Sequence, residues 1–221
     1  MNRFWRDNSL SLVLFGFFFI FIIGQSLAGH SAHNQDLLAH GQADISYVQY
    51  LHSGNFAEAV FENWESEFLQ MGALVILTIW LRQKGAADSK KIIGKDKEDG
   101  HSRYSIIHAT TGHLQRKALG KAIYANSLSI ALFGLFFISF ILHGLSGTAR
   151  FNQQSLLHHE QTLGLWQFMG TSQFWFESFQ NWQSEFLSVG VLILFSVFLR
   201  QRHSPESKPI GDRNSHTGHT A

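Results

Sequence analysis

Two long uncharged segments constrain this chain more than any other feature of its sequence. Residues 8–35, between Asp7 and Asp36, and residues 122–149, between Lys121 and Arg150, contain no Asp, Glu, Lys or Arg, and each segment is 28 residues long. About 20 apolar residues of helix cross a hydrocarbon layer about 30 Å thick. The sequence therefore predicts membrane-spanning helices and excludes an ordinary soluble enzyme.

Composition excludes several other classes of protein. The 221 residues include no Cys, which excludes a disulfide scaffold. The formal net charge of +1 lacks the basic excess of a nucleic-acid-binding protein, so no nucleic-acid partner is expected. No phosphate-binding Gly loop, G-x-S-x-G or H-E-x-x-H motif occurs. We therefore expect a non-enzymatic protein without a cofactor.

The sequence contains an internal repeat. Residues 8–84 align without a gap on residues 126–202, and 31 of the 77 aligned pairs are identical. The run Asn-Trp-Glu-Ser-Glu-Phe-Leu at 63–69 recurs as Asn-Trp-Gln-Ser-Glu-Phe-Leu at 181–187. In both copies an apolar run and Leu-Arg-Gln follow. This pattern predicts two tandem repeats rather than a chance similarity of composition.

The repeat also bears on the N-terminus, which resembles a secretory signal with a small-residue cleavage site at Ser26-Leu27-Ala28. Residues 127–147 copy this segment deep inside the chain. A signal peptidase acts near an N-terminus, so we expect the first segment to be a retained membrane helix.

Each repeat contains a long uncharged run and a short one. The long runs predict spans at about 9–29 and 127–147, and the short runs are the 14 residues 68–81 and 186–199. As helix, 14 residues reach only about 21 Å, so flanking residues must extend these spans to about 65–82 and 183–200. We predict an all-α membrane protein with four transmembrane helices, formed by two-helix repeats at 1–84 and 122–202.

The distribution of charge predicts the orientation. If both termini are cytoplasmic, the cytoplasmic segments are 1–7, 82–125 and 200–221. These segments hold 16 of the 17 Lys and Arg residues, and only Arg150 lies outside. Cytoplasmic loops of membrane proteins are enriched in Lys and Arg, so the prediction is N-in and C-in. Residues 85–121 and 203–221 are polar and lack an apolar period. They are predicted to be a cytoplasmic linker and a disordered tail.

The shortness of two spans indicates a candidate polar site. Because these spans must include flanking residues, Glu67 and its aligned residue Glu185 are predicted to lie near the hydrocarbon boundary. Burying an acid there costs free energy, so such an acid usually faces a bundle interior, a cavity or a partner. Neighbouring residues that recur with them are the polar Asn63, Ser66, Asn181 and Ser184 and the predicted interfacial anchors Trp64 and Trp182. This set either joins helices by hydrogen bonds or, if the two carboxylates approach each other, begins a proton or cation path.

A second acidic set has the opposite pattern. Glu58, Glu62 and Glu65 share one helix face but are replaced in the second repeat by Phe176, Gln180 and Gln183. This loss predicts a solvated face without a common task.

The 13 His residues give only weak signals. His143 alone lies within a predicted span, and Gln25 occupies the matching position, which argues against haem held between two helices. His40 and His158 coincide across the repeat and His159 follows, and imidazole is a good Zn²⁺ ligand. Their spacing matches no standard ligand signature. Solvated His residues are the preferred interpretation, and these three are weak metal candidates.

The run at 63–72, together with Asn-Ser-Leu-Ser at 8–11 and the Leu-Arg-Gln exits, resembles a family of bacterial multi-pass membrane proteins of unknown function. The resemblance covers both repeats. It implies a bacterial source and an inner-membrane location, and it implies no activity.

Three functions are consistent with these observations. The first is a non-enzymatic integral protein of the lipid bilayer that packs against itself, as a homo-oligomer, or against a membrane partner protein. The second is a small proton or cation conductor or transporter using Glu67 and Glu185. The third is metal binding or stress sensing on the outer face.

Overall fold

The computed structural model describes residues 3–90, 92, 120, 122–158 and 161–217. All regular structure in these ranges is helical, and no strand occurs in them. The all-helical prediction is therefore confirmed for the part of the chain that the structure describes.

After α1, the helices of the first half correspond in order to those of the second. The first half contains α1 (Arg3–Asp7), α2 (Ser9–Ala39), α3 (Tyr47–Leu51) and α4 (Gly54–Trp80), and the second contains α5 (Ser127–Leu157), α6 (Leu165–Phe168) and α7 (Ser172–Phe198). The first long helix has 31 residues in each half, and the second has 27.

An asparagine holds the loop after each 31-residue helix. The Asn34 side chain donates to the Ile45 carbonyl at 2.9 Å and accepts from the Ile45 N–H at 3.0 Å. Asn152 makes the same pair of bonds with Leu163, at 2.8 and 2.7 Å. A primary amide has both a donor and an acceptor, so it satisfies both backbone groups of one residue. These bonds return the chain toward the helix it has just left.

Three helices, α2, α5 and α7, are long and apolar enough to cross a membrane, which suggests a membrane protein. The sequence predicted four such helices, and α4 makes the difference. Its first half contains Glu58, Glu62, Glu65 and Glu67, and Gln70 interrupts its apolar run. Each of these groups loses hydration on entering hydrocarbon, which lowers the preference of the helix for a membrane.

The chain forms two compact units. The first unit consists of Met1–Phe61 and Leu142–Thr171, and the second of Glu62–Ile141 and Ser172–Ala221. In the first unit, Tyr50 and Phe168 are buried at matching positions of the two repeats. A Cβ on Gly29 would collide with the Tyr50 hydroxyl, and one on Gly147 would lie 2.6 Å from the Phe168 ring. Only glycine permits this close approach.

The second unit is built around aromatic side chains. Phe136 of α5 lies 6.2 Å from Trp182 of α7 between ring centroids, and Phe140 lies 5.3 Å from Phe174. A Cβ added to Gly72 of α4 would lie 3.2 Å from the Phe133 ring, so α4 packs closely on α5 there. Edge-to-face ring pairs of this kind add specific stabilisation to apolar burial.

The second unit also contains matching turns after α4 and α7. The Gln83 N–H donates to Ser89 Oγ at 2.9 Å, and the Gln201 N–H donates to Ser207 Oγ at 2.8 Å. Lys208 is 1% exposed. Its ammonium group donates to the carbonyls of residues 213, 214 and 216. Most of the linker predicted at 85–121, and residues 218–221 of the predicted tail, lie outside the described residues.

Candidate functional site

Helix α4 turns its polar side inward. Its buried residues include Glu58, Glu65, Ser66 and Gln70, which span an arc of about 140° at 100° per residue. The apolar Met71 on the other side is exposed. A soluble protein buries its apolar face, whereas a helix in lipid keeps polar groups in the protein interior. The buried face of α4 is therefore its polar one.

Among the carboxyl groups that the structure describes in the second unit, Glu65 is the most enclosed, with 0% of its surface exposed. The indole N–H of Trp182 donates to its Oε1 at 2.9 Å. The Trp182 ring in turn packs edge-on against Phe136 and Trp175, so its direction is set by neighbouring rings. A carboxylate in such surroundings has lost its hydration and requires a proton, a cation or further donors to be stable.

The structure brings the two leading candidates, Glu67 and Glu185, close enough for the Glu67 charge to act on the Glu185 carboxyl group. Glu67 is exposed and Glu185 is half-buried. Of their companions, Ser66 donates to the Asn63 carbonyl, and Ser184 to the Asn181 carbonyl, both at 2.8 Å. These serine hydroxyls therefore make bonds within their own helices. The functional role of the set stays a prediction.

The interpretation of Glu58, Glu62 and Glu65 as a solvated face is wrong. Glu58 is 1% exposed, Glu65 is 0% exposed, and Glu62 is half-buried. The helical period placed the three on one face, but the period alone does not say which face of a helix is buried.

Glu58 forms a buried ion pair in the first unit. Arg150 Nη1 of α5 lies 2.5 Å from Glu58 Oε2, and the Arg150 side chain is 29% exposed. A Cβ on Gly147 would lie 2.8 Å from Glu58 Oε1, and one on Gly54 would lie 2.9 Å from the Arg150 backbone nitrogen. The two glycines let α4 approach α5 closely enough for this pair to form.

A buried histidine adjoins the ion pair. His143 is fully buried, and one of its ring nitrogens lies within 4.8 Å of a Glu58 carboxylate oxygen. A carboxylate and an imidazole at this separation can exchange a proton through one water molecule or contribute ligands to a cation. The group occurs once in the chain, because the positions aligned with Glu58, His143 and Arg150 hold Phe176, Gln25 and Ala32.

One signal in the sequence pointed to this group. Arg150 is the single Lys or Arg in the segments predicted to lie outside, 30–67 and 148–185, which contain nine acids, and His143 is the single His in a predicted span. A cation next to hydrocarbon requires a partner. The sequence did not show which of the nine outer acids would be that partner, because the choice depends on how α4 packs against α5.

Two of the three weak metal candidates lie together. The ring centroids of His40 and His158 are 6.3 Å apart. His159 lies outside the described residues.

Comparison with known proteins gives a family but no activity. A family model described as a domain of unknown function, DUF6766, matches residues 1–219. Neither a curated protein nor a solved structure matches the chain. Because the match covers almost the whole sequence, the chain belongs to the DUF6766 family.

Proposed function

We propose that this chain is a bacterial inner-membrane protein in which α2, α4, α5 and α7 all cross the bilayer, with both termini in the cytoplasm. Residues 1–7 and 200–221 are both basic, which favours the cytoplasmic side for each of them. Three crossings would instead place these two segments on opposite sides of the membrane. Helix α4 has 27 residues, about 40 Å of helix, which exceeds the hydrocarbon thickness. Its buried polar face lowers the cost of insertion.

We further propose that the interior of the protein binds and passes a proton or a small cation, without enzymatic chemistry. The burial of Glu65 behind the indole N–H of Trp182 is the observation that carries this proposal. Acidic groups inside membrane proteins commonly mark ion or proton pathways. A pair of helices joined only for stability would not need a carboxyl group at this position.

We propose that a transported ion meets the neighbouring acids in a fixed order. Glu67 and Glu185 lie at the predicted outer boundary, and two carboxyl groups whose charges act on each other attract a cation. Glu65, two residues from Glu67 and fully buried, is the next acceptor. Trp182 acts as a positioning residue because its indole N–H holds Oε1 of Glu65.

Ion flux in proteoliposomes tests this proposal. We expect proton or K⁺ flux, followed with an internal pH dye under an imposed gradient, to fall at least tenfold in Glu65→Gln and in the Glu67→Gln/Glu185→Gln double variant. Glu206→Gln, an exposed acid beyond α7, is the matched control and should keep the wild-type flux. Wild-type flux equal to that of empty liposomes, or unchanged flux in Glu65→Gln, would overturn the proposal.

A second candidate function is self-association or binding of a membrane partner through α2. Ser139 and His143 are buried on α5, whereas the residues aligned with them on α2, Phe21 and Gln25, are exposed. Phe17 and Phe21 stack at 6.0 Å on this uncovered helix. We expect crosslinking in membranes to yield a dimer or a partner adduct that Phe21→Ala weakens. A strictly monomeric protein without membrane neighbours would exclude this function.

A further inference from the structure

We infer that His40 and His158 form a binding site for a divalent transition metal ion such as Zn²⁺ or Cu²⁺. Both residues belong to the first unit. Their ring centroids are 6.3 Å apart, and the ring planes are nearly perpendicular at 87°. None of the residues proposed for the ion path belongs to this site, so it adds a binding activity to the proposed function.

The two histidines occupy the same position at the ends of two equal helices. His40 caps the C-terminus of α2, and His158 directly follows α5. The backbone N–H groups of His40 and His158 donate to the carbonyls of Asp36 and Gln154, both at 3.2 Å. A helix C-terminus carries a partial negative charge, which stabilises a cation. Two such ends lie beside the imidazole pair.

The hydrogen bonding of His40 prepares it as a ligand. Its Nδ1 lies 2.8 Å from the Asp36 carbonyl oxygen, and a carbonyl can only accept, so Nδ1 carries the proton. The lone pair is then on Nε2, the arrangement that orients a metal-binding histidine. The His40 side chain is 55% exposed, and the Asp36 carboxylate lies 3.5 Å from Nδ1. An ion can therefore reach the ring from solvent.

The separation of the rings suits an ion between them after a small movement. Zinc binds imidazole nitrogen at about 2.0–2.1 Å, which puts ring centroids on a tetrahedral ion about 5 Å apart. The observed 6.3 Å requires an approach of about 1 Å. Rotation of an exposed side chain readily supplies such a shift. The remaining ligand positions are open to water or to a carboxylate.

The donor set selects the class of ion. Imidazole nitrogen favours Zn²⁺, Cu²⁺ and Ni²⁺, whereas Mg²⁺ and Ca²⁺ require oxygen ligands. With two protein ligands and an exposed position, the site would exchange its ion with the medium rather than hold it as a structural centre.

Cobalt binding to the tag-free, full-length protein in detergent tests the inference. Visible absorption follows Co²⁺, and Zn²⁺ is then added as a competitor. His52→Ala is the matched control, because His52 caps α3 and its Nδ1 makes the same 2.8 Å bond to the carbonyl four residues earlier. We expect His40→Ala and His158→Ala each to weaken Co²⁺ binding at least tenfold, and His52→Ala to bind like the wild type.

Three results would overturn the inference: no Co²⁺ binding by the wild type, unchanged binding by His40→Ala or His158→Ala, or an equal loss in His52→Ala. Far-UV circular dichroism checks that each variant is folded. If His40→Ala is misfolded, His40→Gln keeps a polar side chain at the helix end, and it should also lose the ion. Wild-type affinity in a folded His40→Gln variant would overturn the inference too.

Discussion

Removing one partner of the Glu58–Arg150 ion pair should destabilise the protein strongly. Two unit charges about 4 Å apart attract each other by about 4 kcal/mol at an effective dielectric constant of 20. The 29% exposure of Arg150 allows water to screen part of this energy. Arg150→Met would nevertheless take its ion-pair partner away from the buried Glu58 carboxylate, and breaking a buried pair in this way costs about 3–5 kcal/mol. We expect a loss of about 3 kcal/mol.

A double-mutant cycle separates the interaction energy of the ion pair from the energies of the other contacts that each side chain makes. The variants are Arg150→Met, Glu58→Met and the double variant, and the assay is unfolding in mixed micelles with increasing SDS, followed by Trp fluorescence. We expect a coupling energy of about 2 kcal/mol, because the double variant removes the charge that each single variant leaves buried. The exposed pair Arg6–Asp7, at 3.0 Å, is the control. Breaking it should cost less than about 1 kcal/mol.

The reasoning fails if Arg150→Met and Glu58→Met each cost less than about 1 kcal/mol and their effects add. Such a result would show that water reaches Glu58 and that the pair behaves like one on an exposed surface.

Three further predictions follow from single contacts. Gly147→Ala should destabilise the protein by about 1–3 kcal/mol through overpacking. A Cβ added at Gly16 meets nothing within 4 Å, so the control Gly16→Ala should be neutral or slightly stabilising. Thermal unfolding measures both variants. Trp182→Phe keeps an aromatic ring but removes the donor to Glu65, so it should cost about 1–3 kcal/mol in the same assay, and equal stability would contradict the bond. Burial lowers the pKa of Lys208 from 10.5, so the unfolded state binds more protons between the lowered pKa and 10.5. Wild-type stability relative to Lys208→Met should therefore rise with pH across this window, and a flat difference in titrated unfolding experiments would contradict it.

The candidate site could be predicted only in part. The motif at 63–69 and the short apolar runs directed attention to α4 and α7, and the role of Glu67 and Glu185 stays a prediction. Glu65 was assigned to a solvated face because it is replaced by Gln183 in the second repeat. Alignment of the two repeats draws attention only to residues that recur. A group that works in one half alone, as Glu58 with Arg150 does, is invisible to that comparison.

The amino-acid sequence by itself determined the helical class, the two uncharged segments and the corresponding halves, because these depend on local composition and spacing along one chain. The tertiary structure decided which side of α4 is buried. The helical period gives the residues that share a face, but the partners available on neighbouring helices decide whether a polar face can be buried, because a buried polar group needs a hydrogen bond or an ion pair. Those partners, Trp182 for Glu65 and Arg150 for Glu58, are 117 and 92 residues away along the chain.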